Sequence, residues 1–187
     1  MKKLLLLLSL FLSTTFYTQN CLGGSQTFST QAQVNAFVAA NTAPNPTCDT
    51  INGNLEIWSG VIDVSGLSFL TTINGQLLIY NTALTNVNGL SGLTSIGTSL
   101  TIYNNAALTN VDGFSGLTSI SDYLYIYRND ALTNVDGFSG VTSIGSYLNI
   151  QNNADLTNVD GFSGLTSISD FLYIYSNDAL TNVDGFS

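Results

Sequence analysis

The hydrophobic positions of this chain repeat at a fixed spacing over most of its length. The tetrad Leu-Thr-Asn-Val begins at five positions, each 24 residues after the last: Leu84, Leu108, Leu132, Leu156 and Leu180. A period in the twenties is the signature of a solenoid, in which each repeat forms one coil that stacks on its neighbours. The pattern therefore predicts a repeat architecture before any single residue is considered.

One unit, residues 94–117, indicates how a coil is built. Leu100 and Ile102 alternate with outward positions at a period of two, which is typical of a short strand with one buried face. The other hydrophobic residues are separated by Gly, Ser, Asn and Asp, and a helix of about ten residues does not fit between them. We expect one short strand plus turns per coil, stacked through a parallel sheet into an all-β parallel β-solenoid.

Three rows of polar residues follow the same period. Two are asparagine rows, which we interpret as structural because a stacked amide can both donate and accept. The third is an aspartate row in which every member precedes a glycine, a pair that predicts a turn residue at positive φ. The rows are Asn105, Asn129, Asn153, Asn177; Asn110, Asn134, Asn158, Asn182; and Asp112, Asp136, Asp160, Asp184.

The aspartate row raises the alternative of a calcium site. Carboxylates stacked about 4.8 Å apart repel each other, and Ca²⁺ could relieve that repulsion. The turn lacks the glycine-rich pattern of calcium-binding β-rolls, so we favour solvated turn residues as the interpretation.

Residues 1–20 have the pattern of a secretory signal peptide. Lys2 and Lys3 are followed by a hydrophobic run that is too short to span a bilayer. We therefore predict export, no transmembrane segment, and a secreted or cell-surface location. Removal of this leader leaves Arg128 alone against 12 acidic residues and changes the formal net charge from −9 to −11. Such a charge disfavours nucleic acid and anionic membranes as partners.

Residues 21–49 are predicted to form an N-terminal cap on a solenoid of residues 50–187. Cys21 and Cys48 are the only two cysteines, and in an exported chain they are expected to form a disulfide. The ends of a solenoid need such a cover, because the first coil otherwise exposes its hydrophobic face.

The cap is predicted to contain a short helix. Ser29 or Thr30 can cap its start, and Pro44 and Pro46 are expected to end it. Its hydrophobic residues share one face, which would lie on the first coil: Val34, Phe37 and Val38.

The composition argues against an enzyme. The chain has no histidine, which excludes Ser-His-Asp and Cys-His catalysis and histidine-ligated metals. No glycine-rich phosphate-binding motif opens a helix. The acidic residues recur once per coil in turns, and no carboxylate pair stands out for glycoside hydrolysis. We predict no enzymatic activity, no metal site and no cofactor.

The candidate binding surface is the outward face of the predicted sheet. Because Leu100 and Ile102 point inward, Thr101 and Tyr103 point outward. Exposed aromatic rows flanked by hydroxyls and amides suit sugar rings or protein partners. Rings on adjacent strands also stabilise a sheet by packing on each other, so a structural role remains open for each. The candidates are Trp58, Tyr80, Tyr103, Tyr125, Tyr127, Tyr173 and Tyr175.

The sequence thus predicts a binding or adhesion module for an extracellular protein or glycan. The alternative is a purely structural spacer that displays other domains and has no ligand of its own. The two differ in one respect, because only a binder has an activity to lose when the outward tyrosines are replaced.

Three stretches contain the motif leucine-x-isoleucine: residues 48–57, 67–79 and 100–108. In the first two the motif comes shortly after Ile-Asn-Gly, and in the third it is followed closely by Asn-Asn. They resemble the receptor L-domain, the leucine-rich-repeat-like β-helix of growth-factor receptor ectodomains and of many secreted bacterial proteins. The resemblance extends over roughly residues 48–187. It implies a right-handed β-solenoid with a non-enzymatic, ligand-binding or scaffold role.

The leader and residues 28–33 resemble exported proteins of Bacteroidetes-type bacteria. In such proteins a C-terminal secretion or surface-attachment domain often follows the repeats. Because the chain stops at Ser187 within a unit, we expect the solenoid to be truncated there.

Overall fold

The computed structural model describes Cys21 and residues 24–42 and 48–187; the predicted signal peptide, Pro44 and Pro46 lie outside the described residues. Most of the described chain is a stack of coils. Its strands are, in chain order, β1 (Gln26–Phe28), β2 (Thr50–Ile51), β3 (Leu55–Ile57), β4 (Thr72–Ile73), β5 (Leu77–Tyr80), β6 (Ser95–Ile96), β7 (Leu100–Tyr103), β8 (Ser119–Ile120), β9 (Leu124–Tyr127), β10 (Ser143–Ile144), β11 (Leu148–Gln151), β12 (Ser167–Ile168) and β13 (Leu172–Tyr175).

These strands form two parallel sheets. The long-strand sheet has the order β1-β3-β5-β7-β9-β11-β13, and the short-strand sheet has the order β2-β4-β6-β8-β10-β12. The register repeats from coil to coil, with Leu100 opposite Leu124 and Ile102 opposite Ile126. Equivalent residues of successive coils therefore lie side by side, and the predicted all-β parallel solenoid with a short N-terminal helix is confirmed.

Each regular coil contains more regular structure than the single strand that the pattern predicted. A two-residue strand such as Ser119–Ile120 precedes each long strand, and its isoleucine points into the core. Two residues are too few to show an alternating pattern, which is why the sequence did not reveal this strand. A turn of 3₁₀-helix completes each coil: Ser65–Leu67, Asn88–Leu90, Asp112–Phe114, Asp136–Phe138, Asp160–Phe162 and Asp184–Phe186.

The hydrophobic core consists of ladders of equivalent side chains. Leu100 and Ile102 are fully buried, as are their counterparts in β9 and β11. The phenylalanines of the 3₁₀ turns stack on each other, with centroids 5.6 Å apart between Phe114 and Phe138 and 5.5 Å apart between Phe138 and Phe162. Each ladder keeps successive coils in register, so outward side chains also form ladders.

The first asparagine row is buried and links the coils by hydrogen bonds. Oδ1 of Asn129 accepts from the backbone nitrogen and from Nδ2 of Asn105, both at 3.1 Å. Nδ2 of Asn129 donates to the Ile102 carbonyl oxygen at 3.0 Å. Because the pattern repeats at Asn153, the structural interpretation of this row is confirmed.

Each asparagine of the second row accepts a hydrogen bond from its own coil. Oδ1 of Asn134 accepts from the backbone nitrogen of Asp136 at 3.1 Å and so satisfies a donor of the 3₁₀ turn. The same bond recurs at Asn110, Asn158 and Asn182. This row is structural too, but its members do not bond to each other through their amides as the first row does.

The prediction of positive φ at the Asp-Gly pairs is wrong. Gly113 lies within the 3₁₀ turn Asp112–Phe114, and the non-glycine residues at positive φ come directly after the long strands. A glycine is required for a different reason, because a Cβ at Gly113 would clash with the Val87 carbonyl oxygen of the preceding coil. The non-glycine residues at positive φ are Asn81, Asn104, Arg128, Asn152 and Ser176.

The N-terminal segment contains the predicted disulfide and the predicted helix. Cys21 and Cys48 are bonded to each other. Helix α1 spans Gln31–Asn41, and Thr30 caps it. Oγ1 of Thr30 accepts from the Gln33 backbone nitrogen at 3.3 Å, and Oε1 of Gln33 accepts from the Thr30 backbone nitrogen at 3.0 Å. This reciprocal pair is a capping box.

The helix packs on the start of the solenoid through its hydrophobic face. Val34 and Phe37 are buried, and Val38 is half-buried. The Phe37 ring lies 5.2 Å from Phe28 in β1 and 6.2 Å from Phe69, measured between centroids. Strand β1 was not predicted, and it extends the long-strand sheet by pairing with β3. The division into a cap of residues 21–49 and a solenoid of residues 50–187 stays a prediction.

Candidate functional site

Four aromatic residues form a continuous row on the outward face of the long-strand sheet. Trp58, Tyr80, Tyr103 and Tyr127 come from successive coils, and each centroid lies 5.0 Å from the next. The interplanar angle falls from 85° between the first two rings to 16° between the last two. All four are half-buried, because neighbouring rings cover one another. We call this row the ring row.

A second row lies beside the ring row, and hydrogen bonds join it to Trp58 of the ring row and to Gln151, which follows Tyr127 in the sheet register. Nε1 of Trp58 donates to Oε2 of Glu56 at 3.2 Å. Nε2 of Gln151 donates to the hydroxyl oxygen of Tyr125 at 2.9 Å. The sheet register aligns the second row as Glu56, Leu78, Thr101, Tyr125, Asn149 and Tyr173.

The sequence analysis missed a third aromatic row on this face. Tyr123 and Tyr147 stack with centroids 4.8 Å apart and an interplanar angle of 2°. Phe171 occupies the same place in the next coil and is 58% exposed. Each precedes a long strand by one residue, and the shared spacing of 24 residues is the signal that could have found them.

The ring row is interrupted in one coil. Strand β11 has Asn149 and Gln151 at the outward positions where both neighbouring strands have tyrosines. Gln151 is 8% exposed and Asn149 is half-buried. In the described part of the chain, Oδ1 of Asn149 is the one buried side-chain polar atom without a hydrogen-bond partner. We call Asn149 and Gln151 the amide gap; the flanking tyrosines are Tyr125, Tyr127, Tyr173 and Tyr175.

All seven aromatic residues singled out in the sequence therefore lie on one face, but their surroundings differ. Tyr173 and Tyr175 are 46% and 50% exposed, whereas the other five are half-buried. Arg128 brings a positive charge to the ring row. Its guanidinium carbon lies 4.9 Å from the Tyr127 centroid, in cation–π geometry.

The packing of this face changes the acidity of two tyrosines. Burial raises the pKa of Tyr125 above its usual 10.0, while the hydrogen bond from Gln151 acts in the opposite direction and neighbouring tyrosines add to the rise. Burial also raises the pKa of Tyr147, and Tyr123 and Asp122 contribute in the same direction. Both groups therefore favour the neutral phenol in the folded protein.

We expect the protein to lose stability as the pH rises through the tyrosine range. Because these two pKa values are raised on folding, the unfolded chain releases the protons first. The stabilisation is complete below the usual 10.0 and is lost as the pH rises through the folded pKa values. Urea unfolding midpoints at about pH 9 and about pH 11 measure the change. A Tyr125→Phe/Tyr147→Phe variant should show a weaker pH dependence, and an unaltered dependence would contradict this assignment.

No cluster of three or more His, Cys, Asp or Glu side chains in residues 24–42 and 48–187, with Cys21, could hold a metal ion. Asp112, Asp136, Asp160 and Asp184 are exposed turn residues. Within the same ranges, no helix combines the length and the hydrophobicity needed to cross a membrane.

Comparison with known proteins found one family to which part of this chain is similar. Residues 47–113, which are 67 of the 187 residues, match the family model described as receptor L domain, and this confirms the resemblance over that part of the chain. The matched range contains Trp58, Tyr80 and Tyr103 of the ring row. No curated protein and no solved structure matches the chain. The receptor L domain is a non-catalytic binding fold, and together with the disulfide it indicates an extracellular ligand-binding module.

Proposed function

We propose that this protein is an exported binding or adhesion module that holds an extracellular protein or glycan on the outward face of its long-strand sheet. The observation that carries the proposal is the concentration of aromatic side chains on this face. The other exposed positions of the regular coils are mostly small and polar. In the coil of β9 they include Thr118, Ser119, Thr133 and Asp136.

The chemistry of the face suits recognition rather than catalysis. Tyrosine and tryptophan offer large rigid contact areas with a polar tip, and they are enriched at the centres of binding surfaces. The described residues contain 12 acidic side chains and only one basic side chain, Arg128. A neutral or basic ligand is therefore favoured over an anionic one.

Ring stacking also supports the structural alternative, a spacer without its own ligand. The faces of Tyr80 and Tyr103 are covered by their neighbours in the ring row. Cross-strand aromatic pairs of this kind stabilise a sheet whether or not a ligand binds. A decisive experiment must therefore separate binding from folding.

The test is an array of glycans and extracellular-matrix proteins probed with residues 21–187. A Tyr103→Ser/Tyr127→Ser/Tyr175→Ser variant should lose selective binding while circular dichroism shows that it remains folded. A matched control, Thr109→Ser/Thr133→Ser/Thr157→Ser, alters an exposed row on another part of each coil and should bind normally. If neither the wild-type protein nor the control binds any component, the binding proposal is wrong and the spacer alternative stands.

A second variant separates the effect of losing the hydroxyl groups from the effect of losing the stacked rings. Tyr103→Phe/Tyr127→Phe/Tyr175→Phe keeps the rings and removes only the hydroxyl groups. If the serine variant unfolds, this variant still reports on recognition, because loss of a ligand hydrogen bond should weaken binding by about five- to tenfold. Binding that is unchanged in the phenylalanine variant and in a folded serine variant would exclude this face.

A further inference from the structure

We propose that Tyr123 and Tyr147 form an oxidative modification site, at which hydrogen peroxide and a haem peroxidase join the two phenol rings into dityrosine. The product is a covalent crosslink between two successive coils of the solenoid. Such a site is independent of the proposed function, because the reaction needs no ligand on the binding face. It gives a role to the third aromatic row, which the ring row does not require.

Among the described residues, no two tyrosine rings stack more closely than these. Their centroids are 4.8 Å apart and their planes differ by 2°, against 5.0 Å and 16° for Tyr103 and Tyr127. The sheet fixes the separation, because the backbone nitrogen of Leu124 donates to the carbonyl oxygen of Tyr147 at 3.0 Å. Parallel rings at equivalent positions place like atoms opposite each other. The carbons ortho to the two hydroxyl groups are therefore one strand spacing apart, roughly 4.8 Å.

The third row contains a single pair that can react. The sheet register places Ser99 beside Tyr123 in the preceding coil. In the following coil it places Phe171 beside Tyr147, and the Phe171 ring packs against Tyr173 with centroids 5.7 Å apart. Neither serine nor phenylalanine forms a phenoxyl radical, so coupling along this row stops at one crosslink.

The paired rings are also less restrained than the tyrosines of the ring row. Tyr103 stacks on Tyr80 at one side and on Tyr127 at the other, so both of its faces are covered. The guanidinium carbon of Arg128 lies 4.9 Å from the Tyr127 centroid. In the described part of the chain, the two tyrosines of the third row stack only on each other, and both are half-buried. Rotation about their χ1 and χ2 bonds brings the ortho carbons together without breaking another ring contact.

The reaction balances with peroxide as the only oxidant. Each phenol gives one electron and one proton to the peroxidase and becomes a phenoxyl radical. The two radicals couple through their ortho carbons, which forms one carbon–carbon bond, and the two displaced ring hydrogens move to the phenoxyl oxygens. Hydrogen peroxide takes up the two electrons and two protons and leaves as two molecules of water. The product keeps both phenol groups and has lost two hydrogen atoms.

The position of the pair favours coupling within one chain. Two groups held side by side react as if each were present at a very high local concentration. The extracellular location that the fold and the disulfide indicate is an oxidising compartment. The disulfide between Cys21 and Cys48 links the N-terminal segment covalently. A dityrosine at the third row supplies such a link in the middle of the solenoid.

The experiment oxidises residues 21–187 at about 1 μM, where coupling within a chain is faster than coupling between chains. One oxidant is a haem peroxidase with a single equivalent of hydrogen peroxide. The second is a photogenerated ruthenium(III) complex, with persulfate as the final electron acceptor, which is small enough to reach half-buried rings. We expect a monomeric product that shows dityrosine fluorescence and a mass lower by two hydrogen atoms.

Cleavage on the amino side of aspartate locates the crosslink. The expected product joins residues 122–129, which include Tyr123, to residues 136–154, in which Tyr147 is the only tyrosine. Coupling within the ring row would instead join residues 122–129 to residues 63–111. Tandem mass spectrometry of the linked peptides therefore separates the two rows.

Phenylalanine variants assign the reacting residues. Tyr123→Phe and Tyr147→Phe should each lower the yield of the crosslink about tenfold, because the nearby partner radical is lost. Both keep the ring, and circular dichroism checks that they fold. The matched control Tyr103→Phe/Tyr127→Phe removes two hydroxyl groups from the ring row and should leave the yield within about twofold of wild type.

The crosslink should also stabilise the fold. The isolated crosslinked protein should unfold at a temperature roughly 5 °C higher than the untreated protein, because a loop of 24 residues is closed in its unfolded chain. An unchanged unfolding temperature would show that the bond does not tie the coils together.

Other results would overturn the modification site itself. Linkage of residues 122–129 to residues 63–111, or crosslinks between chains only, would place the coupling elsewhere. Equal yields from the wild-type chain and Tyr147→Phe would exclude that tyrosine. Absence of dityrosine with both oxidants would mean that the two rings cannot approach each other. None of these outcomes depends on the binding array, so the binding proposal and the modification site fail separately.

Discussion

Replacing Asn129 by alanine should lower the free energy of unfolding by about 4 kcal/mol, a large effect for a single substitution. The side chain is fully buried and bonds to both neighbouring coils. Its removal would leave the backbone nitrogen of Asn105 without an acceptor, take one of two acceptors from Nδ2 of Asn105, and remove the donor that Asn129 supplies to the Ile102 carbonyl oxygen. Each buried polar group left in this way costs about 1–3 kcal/mol. Urea unfolding monitored by circular dichroism measures the loss.

The control for this prediction is the asparagine that lies five positions further along the same coil. Asn134 is half-buried, and its Oδ1 accepts one hydrogen bond, from the Asp136 backbone nitrogen. Asn134→Ala should cost only about 1 kcal/mol, since water can reach the freed donor. If Asn129→Ala proves no more destabilising than Asn134→Ala, the buried row does not stabilise the coils as we infer.

The repeat itself explains why so much of the fold could be predicted. A parallel stack places equivalent residues side by side, so the spacing of 24 residues determines which side chains form ladders. The alternation at Leu100 and Ile102 identified the buried face of the long strands, and both residues are fully buried. The outward position of Tyr103 followed from the same alternation, and the structure places it in the ring row.

Features that depend on short segments, or on close contact between the backbones of neighbouring coils, could not be predicted in this way. The non-glycine residues at positive φ follow the long strands, and the first asparagine of the pair Asn104–Asn105 was a usable signal for them. Two coils lack this signal, because Arg128 and Ser176 stand where the other coils have asparagine and adopt the same positive φ. The Asp-Gly pair misled the prediction, because its glycine is required by the neighbouring coil rather than by its own φ.

The sequence predicted which positions make up the candidate site, but it did not predict the distances and hydrogen bonds between their side chains. The sequence indicated that Tyr127 and Gln151 share a row, but not that the rings are close enough to cover each other. The unpartnered oxygen of Asn149 depends on the exact placement of its neighbours, and no pattern in the sequence reveals it. Hydrogen-bond satisfaction is a property of three-dimensional packing, whereas alternation is a property of the chain.

Replacing Gly161 by alanine should lower the free energy of unfolding by about 3 kcal/mol or prevent the chain from folding. Gly161 is buried in the 3₁₀ turn Asp160–Phe162, and an added Cβ would clash with the Val135 carbonyl oxygen of the preceding coil. That oxygen accepts a hydrogen bond from the Phe138 backbone nitrogen at 3.0 Å. It therefore cannot move away without breaking the hydrogen bond that closes the 3₁₀ turn of its own coil. The two coils would have to separate, and the stack of Phe138 on Phe162 would loosen with them.

A glycine of the same coil provides the control, since a methyl group added there would make a tight contact rather than a clash. A Cβ at Gly164 would lie 3.1 Å from the Ser139 carbonyl oxygen and 3.9 Å from that of Val141. Gly164→Ala should therefore change the free energy of unfolding by less than about 1 kcal/mol, because the reduced freedom of the unfolded chain offsets the tight contact. Urea unfolding of the two variants side by side decides the point. Equal stabilities would mean that the coils are not packed closely enough to require glycine at position 161.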